Sequence, residues 1–302
     1  MRTLCVTGGN GLLGMKLAGL ASRSFRVFSA DVQEGPSLEL PNTEYVRTDV
    51  VDPAQVEGLL LRAKPEAVFH TAAFTDVDGC EIHRERAWSV NVTGTENVAS
   101  ACRRHGVRMI HLSTDYVFDG AAGPYSETDA PNPVSHYGRT KLESERIVQS
   151  LLPVALIART MVLYGYAAGA RDNFVTWLVA ALGRRTPVRI VTDQYGHPTL
   201  ADDLARALML LFERNAAGIL HAAGAEWLNR FEFAVKAAEV FGLDSSLITP
   251  TTSDAFKQPA PRPLRSGLKT DKLRGAFGFI FSAVDEGLRT VRIQMEEAGI
   301  LK

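Results

Sequence analysis

The chain has 302 residues, a hydrophobic fraction of 46% and a charged fraction of 22%, the ordinary balance of a globular protein with room for one large domain or a domain and a half. With 33 Lys and Arg against 34 Asp and Glu the formal net charge is −1, so no clustered basic surface for a nucleic acid is expected. Cys5, Cys80 and Cys102 are far apart without CxxC spacing, which argues against a disulfide framework or a zinc site. Glycines interrupt the first residues before a secretory apolar core can form, and no apolar run reaches the ~18 residues of a membrane helix, so a cytoplasmic protein without membrane contact is expected.

In chain order, residues 4–7, 26–30, 67–71, 108–113 and 154–158 read as short buried strands. Between them lie stretches of helical period, such as 87–105. Strand and helix in alternation predict a parallel sheet covered on both faces. The second half is less regular: helices at 173–182, 202–213 and 230–241, one more strand at 218–222, and a proline-rich loop at 258–263. A last helix is expected to start at Ser282, with Asp285 three residues on to complete the cap.

Between the first strand and the first helix stands VTGGNGLLG, residues 6–14. Gly8, Gly11 and Gly14 permit a tight turn and close approach of the backbone to a pyrophosphate, and the following helix offers its free N–H groups. Asn10 and Leu12 lie in the same turn. Asp31, 20 residues past Gly11, closes the second strand, where a carboxylate accepts hydrogen bonds from the adenosine ribose and repels a 2′-phosphate. That favours NAD(H), with NADP(H) left open. Asp49 and Val50 follow the third strand, at the adenine edge.

Tyr137 and Lys141 are four residues apart at the start of a predicted helix, and so on one face. A phenol titrates near 10, and a neighbouring cation is expected to lower that value and make it an efficient proton donor to a carbonyl. Thr114, at the end of the strand two dozen residues earlier, can bond the same oxygen.

Taken together, TGGNGLLG, HTAA at 70–73, NVTGT at 91–95, STDYVFDG at 113–120 and YGRTK at 137–141 resemble the extended short-chain dehydrogenase/reductase superfamily. STDYVFDG, the pair Asn173 and Phe174, DQYGHPT at 193–199, and Arg262, Pro263, Ser266 and Leu268 resemble its dTDP-4-dehydrorhamnose reductase family. The likeness implies a Rossmann-type, doubly wound parallel sheet at residues 1–160, which strands from about 190–222 rejoin, and a smaller substrate-binding domain mainly at 161–302. It implies a catalytic trio of Thr114, Tyr137 and Lys141, dinucleotide contacts at Ala72 and Ala73, and a sugar pocket with Thr75, Val77, Asp115 and Tyr116. Asn173, Gln194 and Arg262 are further substrate candidates, a guanidinium being matched to a diphosphate.

The implied reaction is reduction of a 4-keto-6-deoxy sugar on a nucleoside diphosphate, giving dTDP-L-rhamnose. The alternatives are an epimerase or dehydratase that retains its NAD, and a regulatory subunit like that of methionine adenosyltransferase. Two positions depart from the family pattern. Val162 stands where a tryptophan often packs on the sugar, and Lys16 replaces a glutamate that helps hold a bridging metal, so no metal site is expected. His70 and His197 are read as packed, satisfied side chains, and Trp88, Trp177 and Trp227 as core or interface. The partner expected is the nucleotide sugar, with a homodimer left open.

Overall fold

A computed structural model describes residues 1–301. The first half runs β1 (Thr3–Thr7), α1 (Leu12–Ala21), β2 (Arg26–Asp31), β3 (Thr43–Arg47), α2 (Pro53–Ala63) and β4 (Ala67–His70). Then come the short helices α3 (Val77–Ile82) and α4 (Arg84–Trp88), α5 (Gly94–His105), β5 (Arg108–Thr114), α6 (His136–Leu151) and β6 (Leu156–Thr160). The second half adds β7 (Leu163–Tyr164), α7 (Phe174–Gly183), β8 (Val188–Val191), β9 (Tyr195–Gly196), β10 (Thr199–Leu200) and α8 (Ala201–Glu213). It ends with β11 (Gly218–His221), β12 (Leu228–Asn229), α9 (Arg230–Phe241), β13 (Ile248–Thr251), α10 (Asp271–Phe277) and α11 (Val284–Glu297).

Seven strands form one parallel sheet in the order β11-β6-β5-β4-β1-β2-β3. The chain leaves β1 toward β3, then returns to β4 on the other side of β1. This reversal opens a crevice at the carboxyl ends of β1 and β4, where doubly wound sheets bind ligands. There Thr7 pairs with His70. On one face Leu13 and Leu17 of α1 pack with Leu204, Leu208 and Leu211 of α8. On the other, Val56 and Leu60 of α2 meet Val98 and Cys102 of α5 and Val148 of α6. The central strands β1, β4, β5 and β6 are buried on both faces, which is why apolar residues predominate in them, whereas the edge strand β3 is only partly buried.

β8 pairs with β13 away from the main sheet, whereas β11 lies beside β6 within it. Around β8 and β13 a second core gathers Leu178 and Leu182 of α7, Phe233 and Ala237 of α9, and Leu288 and Val291 of α11. No helix among the described residues is long and apolar enough to cross a membrane.

Three local expectations are corrected. The strand expected at 154–158 begins two residues later, because a turn at Pro153 returns the Ala155 N–H to the Leu152 carbonyl at 2.8 Å. The last helix is not capped by Ser282. The Ser282 N–H donates to Asp203 at 2.7 Å, and Glu226 accepts the Val284 N–H at 2.6 Å, so the cap comes from a distant segment. The helical stretch at 87–105 contains a π-helical turn at Ser89–Thr93, a local widening that often marks a functional position.

Candidate functional site

The glycine turn is built for close approach. Gly8 has φ +74°, and a Cβ there would come within 2.6 Å of the Ala72 amide nitrogen in the loop after β4. A Cβ on Gly14 would collide with the Gly8 carbonyl. α1 then starts with no side-chain cap and no acidic residue in its first turn, which leaves its N-terminus available to an anion. These features fit a dinucleotide pyrophosphate: the cradle holds space that any larger residue would fill.

Asp31 ends β2 at the lip of this cradle, accepting from the Asn10 N–H at 3.1 Å and the Val32 N–H at 2.8 Å. The Asn10 side chain is committed to the loop after β2. Its Nδ2 donates to Gln33 and to the Gly35 carbonyl at 3.0 and 2.9 Å, and its Oδ1 accepts from the Ser37 N–H at 2.8 Å. Asn10 thereby joins the glycine turn to the segment beside Asp31. Asp49 accepts from the Val51 N–H, and Val50 is buried against Gly94 while Asn97 holds the Val50 and Val51 carbonyls. Ala72 and Ala73 follow β4 directly.

Tyr137 and Lys141 lie on the buried face of α6, 8% and 3% exposed. Ser135 caps that helix by accepting the Gly138 N–H at 3.2 Å. Burial pushes the Tyr137 phenol above its ordinary range, with the Thr114 hydroxyl pulling the other way and the Asp115 charge adding to the rise. The phenol is therefore raised and not lowered as expected from the neighbouring Lys141, because burial outweighs the opposing effects. Burial lowers the Lys141 ammonium to about 8, and Glu145 one turn on opposes that fall.

Glu145 is itself buried, receiving Ser113 Oγ at 2.5 Å and Arg159 Nε and Nη2 at 2.9 and 2.7 Å. Asn91, in the π-helical turn, accepts the Phe74 N–H at 2.7 Å and donates to Thr140 at 3.0 Å. It fixes the loop after β4 to the helix bearing Tyr137 and Lys141. Neither residue was singled out from sequence, although Asn91 lies in a quoted motif and Glu145 stands one turn past Lys141.

His70 bonds Thr7 at 2.7 Å and Thr95 at 3.1 Å through its two nitrogens, and burial holds it down to about 3, a neutral imidazole. His197 accepts the Leu268 N–H at 3.1 Å and is likewise lowered, to about 4. Both are packed side chains. Trp88 and Trp177 are 44% and 43% exposed, so neither belongs to the core. Lys16 donates to Asp202 at 3.0 Å and Gln294 at 2.9 Å.

A small cleft, open to solvent, begins beside Thr114. Asp115 and Tyr116 line it next to Thr114, with Val162, Gln194, Arg230 and Ser266 on the other walls. Asp115 is held by the Thr114 hydroxyl at 3.0 Å and by the Ser266 hydroxyl, and burial raises it to about 6. The Tyr116 ring meets Tyr137 edge to face at 5.5 Å. Val77 opens α3 and packs in the small cluster around Tyr137, while Thr75 is exposed in the loop before it.

Val162 adopts φ 44°, a left-handed conformation that strains a β-branched residue. Gln194 donates to Ser253 at 3.0 Å. Two substrate candidates have engaged side chains: Asn173 caps α7 and donates to the Gly165 carbonyl at 2.7 Å, and Arg262 forms a two-pronged pair with Asp78 at 2.9 and 2.8 Å.

The family described as RmlD substrate binding domain matches residues 1–296. A dTDP-4-dehydrorhamnose reductase of Mycobacterium tuberculosis is 37% identical over 273 residues, 88% of this chain and 84% of that protein. A dTDP-4-keto-6-deoxy-D-glucose reductase of Streptomyces niveus is 32% identical, covering 90% of each. Among solved structures, a dTDP-4-dehydrorhamnose reductase of Clostridium acetobutylicum has a TM-score of 0.88 at 32% identity, covering 98% of this chain and all of that one. The Bacillus anthracis enzyme in complex with NADP has 0.88 at 29%, covering 97% and 100%. With its glycine cradle, buried Tyr137 and Lys141 and adjoining cleft, the chain belongs to the RmlD substrate binding domain family.

Proposed function

We propose that this protein catalyses NAD(P)H-dependent reduction of dTDP-4-dehydrorhamnose to dTDP-L-rhamnose. The observation that carries this reading is the placement of Tyr137 and Lys141, one turn apart on the buried face of α6, with the Tyr137 ring against Tyr116 of the cleft wall. Relatives named as reductases of dTDP-linked keto sugars support it. In this reading residues 1–160, with β11, form the dinucleotide-binding domain, and 161–302 mainly bind substrate.

When bound, the dinucleotide supplies hydride to the carbonyl carbon. Tyr137 gives its phenolic proton to the carbonyl oxygen, and Thr114 helps position that carbonyl. A phenol held above its ordinary range stays protonated at neutral pH and so carries the proton to be given. Lys141, charged below about pH 8, holds the nicotinamide ribose. Gly8, Gly11 and Gly14 with the Leu12 N–H cradle the pyrophosphate, Ala72 and Ala73 line the nicotinamide side, and Asp49 and Val50 the adenine. Asp31 takes the adenosine ribose and favours NAD(H).

Asp115, Tyr116, Thr75 and Val77 line the sugar site and Gln194 the nucleotide side, with Arg262 held by Asp78 at its edge and Asn173 holding the Gly165 carbonyl. The three buried free cysteines suit a reducing, cytoplasmic setting. Exposed Ile82 and Trp88 on the adjacent α3 and α4 offer a face for a homodimer, which sedimentation would reveal.

The test is oxidation of NADH or NADPH, followed at the nicotinamide absorbance band, with dTDP-4-dehydro-6-deoxy-L-mannose as substrate. Wild type turns over, and Tyr137→Phe loses on the order of a hundredfold or more. Absence of oxidation with either cofactor, in protein that binds the dinucleotide, refutes the reading.

A further inference from the structure

Arg230 opens α9 directly behind a cap in which Asn229 and Glu232 bond each other's backbone N–H at 2.8 Å. Its own N–H donates to the Gln194 carbonyl at 3.0 Å. The backbone is thus pinned on both sides, and the side chain is aimed at the cleft from a rigid point. The guanidinium lies 5.5 Å over the Phe174 ring. Among the described residues it forms no ion pair and no hydrogen bond, although it lines the cleft with Asp115, Tyr116 and Val162.

A guanidinium has five N–H donors and no acceptor, and Arg230, half-buried at the cleft, keeps those donors without a protein partner. The nearest acid, Asp115, already accepts from Thr114 and Ser266. The other guanidinium near the cleft, Arg262, is neutralised by Asp78. Burial lowers Arg230, with Tyr116 and Asp115 opposing and Arg262 adding to the fall. Among the residues that line the cleft, Arg230 is therefore the cation without a charged partner.

We propose that Arg230 is a substrate-recognition residue that pairs with an oxyanion of the nucleotide-linked substrate. This rests on the cleft being the nucleotide-sugar site. The chemistry has two sources, the pyrophosphate bridge or a carboxylate on the sugar ring. The second would make the preferred substrate a uronic acid in place of a 6-deoxy sugar.

The experiment measures binding by calorimetry, for wild type, Arg230→Gln and Arg230→Lys, to dTDP, dTDP-glucose and dTDP-glucuronic acid. Loss of one charge-assisted pair predicts weakening of about tenfold or more in Arg230→Gln, partly restored in Arg230→Lys. Equal weakening toward all three ligands supports the proposal and assigns the pyrophosphate. Weakening toward dTDP-glucuronic acid alone supports it and assigns the sugar carboxylate. Unchanged affinity for all three, or affinity lost by a variant whose thermal unfolding shows it is not folded while Arg230→Lys binds as tightly as wild type without a cost in any arm, overturns it.

The reductase reading fails separately. It is refuted by the absence of nicotinamide oxidation in wild type, an outcome that leaves the binding comparison fully readable.

Discussion

The pH dependence of turnover separates the two titrating groups of the trio. Burial raises the Tyr137 phenol above its ordinary range, so it keeps its proton throughout the accessible alkaline region. Lys141 is brought down from 10.5 to about 8. An alkaline limb near pH 8 therefore belongs to the ammonium and not to the phenol. With that value the charged fraction falls from about 0.9 at pH 7 to about 0.1 at pH 9, so kcat/KM for the dinucleotide, which reports groups of the free enzyme, falls about tenfold. Lys141→Arg keeps its charge across this range, so its lower rate is flat from pH 7 to 9. The assay is nicotinamide oxidation in buffers of constant ionic strength. A wild-type profile flat across that interval, or a limb near 8 that survives in Lys141→Arg, refutes the assignment.

Lys141→Met is expected to be inactive yet more stable. A lysine whose folded value is depressed binds fewer protons when folded, so its full cost is present below about 8 and is relieved as pH rises toward 10.5. The shift corresponds to about 3 kcal/mol, and denaturant unfolding at pH 7 should recover a gain of up to that size; a loss of stability would contradict it. Gly14→Ala places a Cβ against the Gly8 carbonyl, so NADH binding measured by fluorescence should weaken by at least about tenfold, and unchanged affinity would show that the turn can relax. Asp31→Ser removes the carboxylate at the lip of the cradle and should shift the ratio of kcat/KM toward NADPH by about tenfold or more; an unaltered ratio would place the 2′ position elsewhere.

What could be read from sequence was local, and it was read through period and spacing. Continuous apolar runs mark β1, β4 and β5 because both faces of a parallel sheet are covered. Spacing four apart places Tyr137 and Lys141 on one face of α6 wherever that helix lies. The glycine turn declares itself because Gly8 and Gly14 occupy positions no other residue fits. The titration of Tyr137 was not readable. Its direction depends on how deeply α6 is buried and on Asp115, Cys80 and Tyr116, and only folding brings these together.

The pairings that decide which charges are free are all distant in sequence. Arg262 looked available for a diphosphate, but Asp78 lies 184 residues away in the chain and 2.8 Å away in space. Asn173 sits in a motif that implied substrate contact, yet its amide is used to cap α7. Arg230 belongs to no motif, and its significance comes from what is missing around it once Asp115 is bonded by Thr114 and Ser266. A motif identifies groups that chemistry needs in fixed register. The cation that selects the substrate need share no register with them, because it acts through the cleft and not through the helix that carries the reaction. Val162 and Arg230 stand on the walls of that cleft, one strained and one unpaired. Exchanging Val162 for tryptophan should therefore alter KM for the sugar while leaving dinucleotide affinity unchanged, and an equal effect on both would mean that this wall serves the fold and not the substrate.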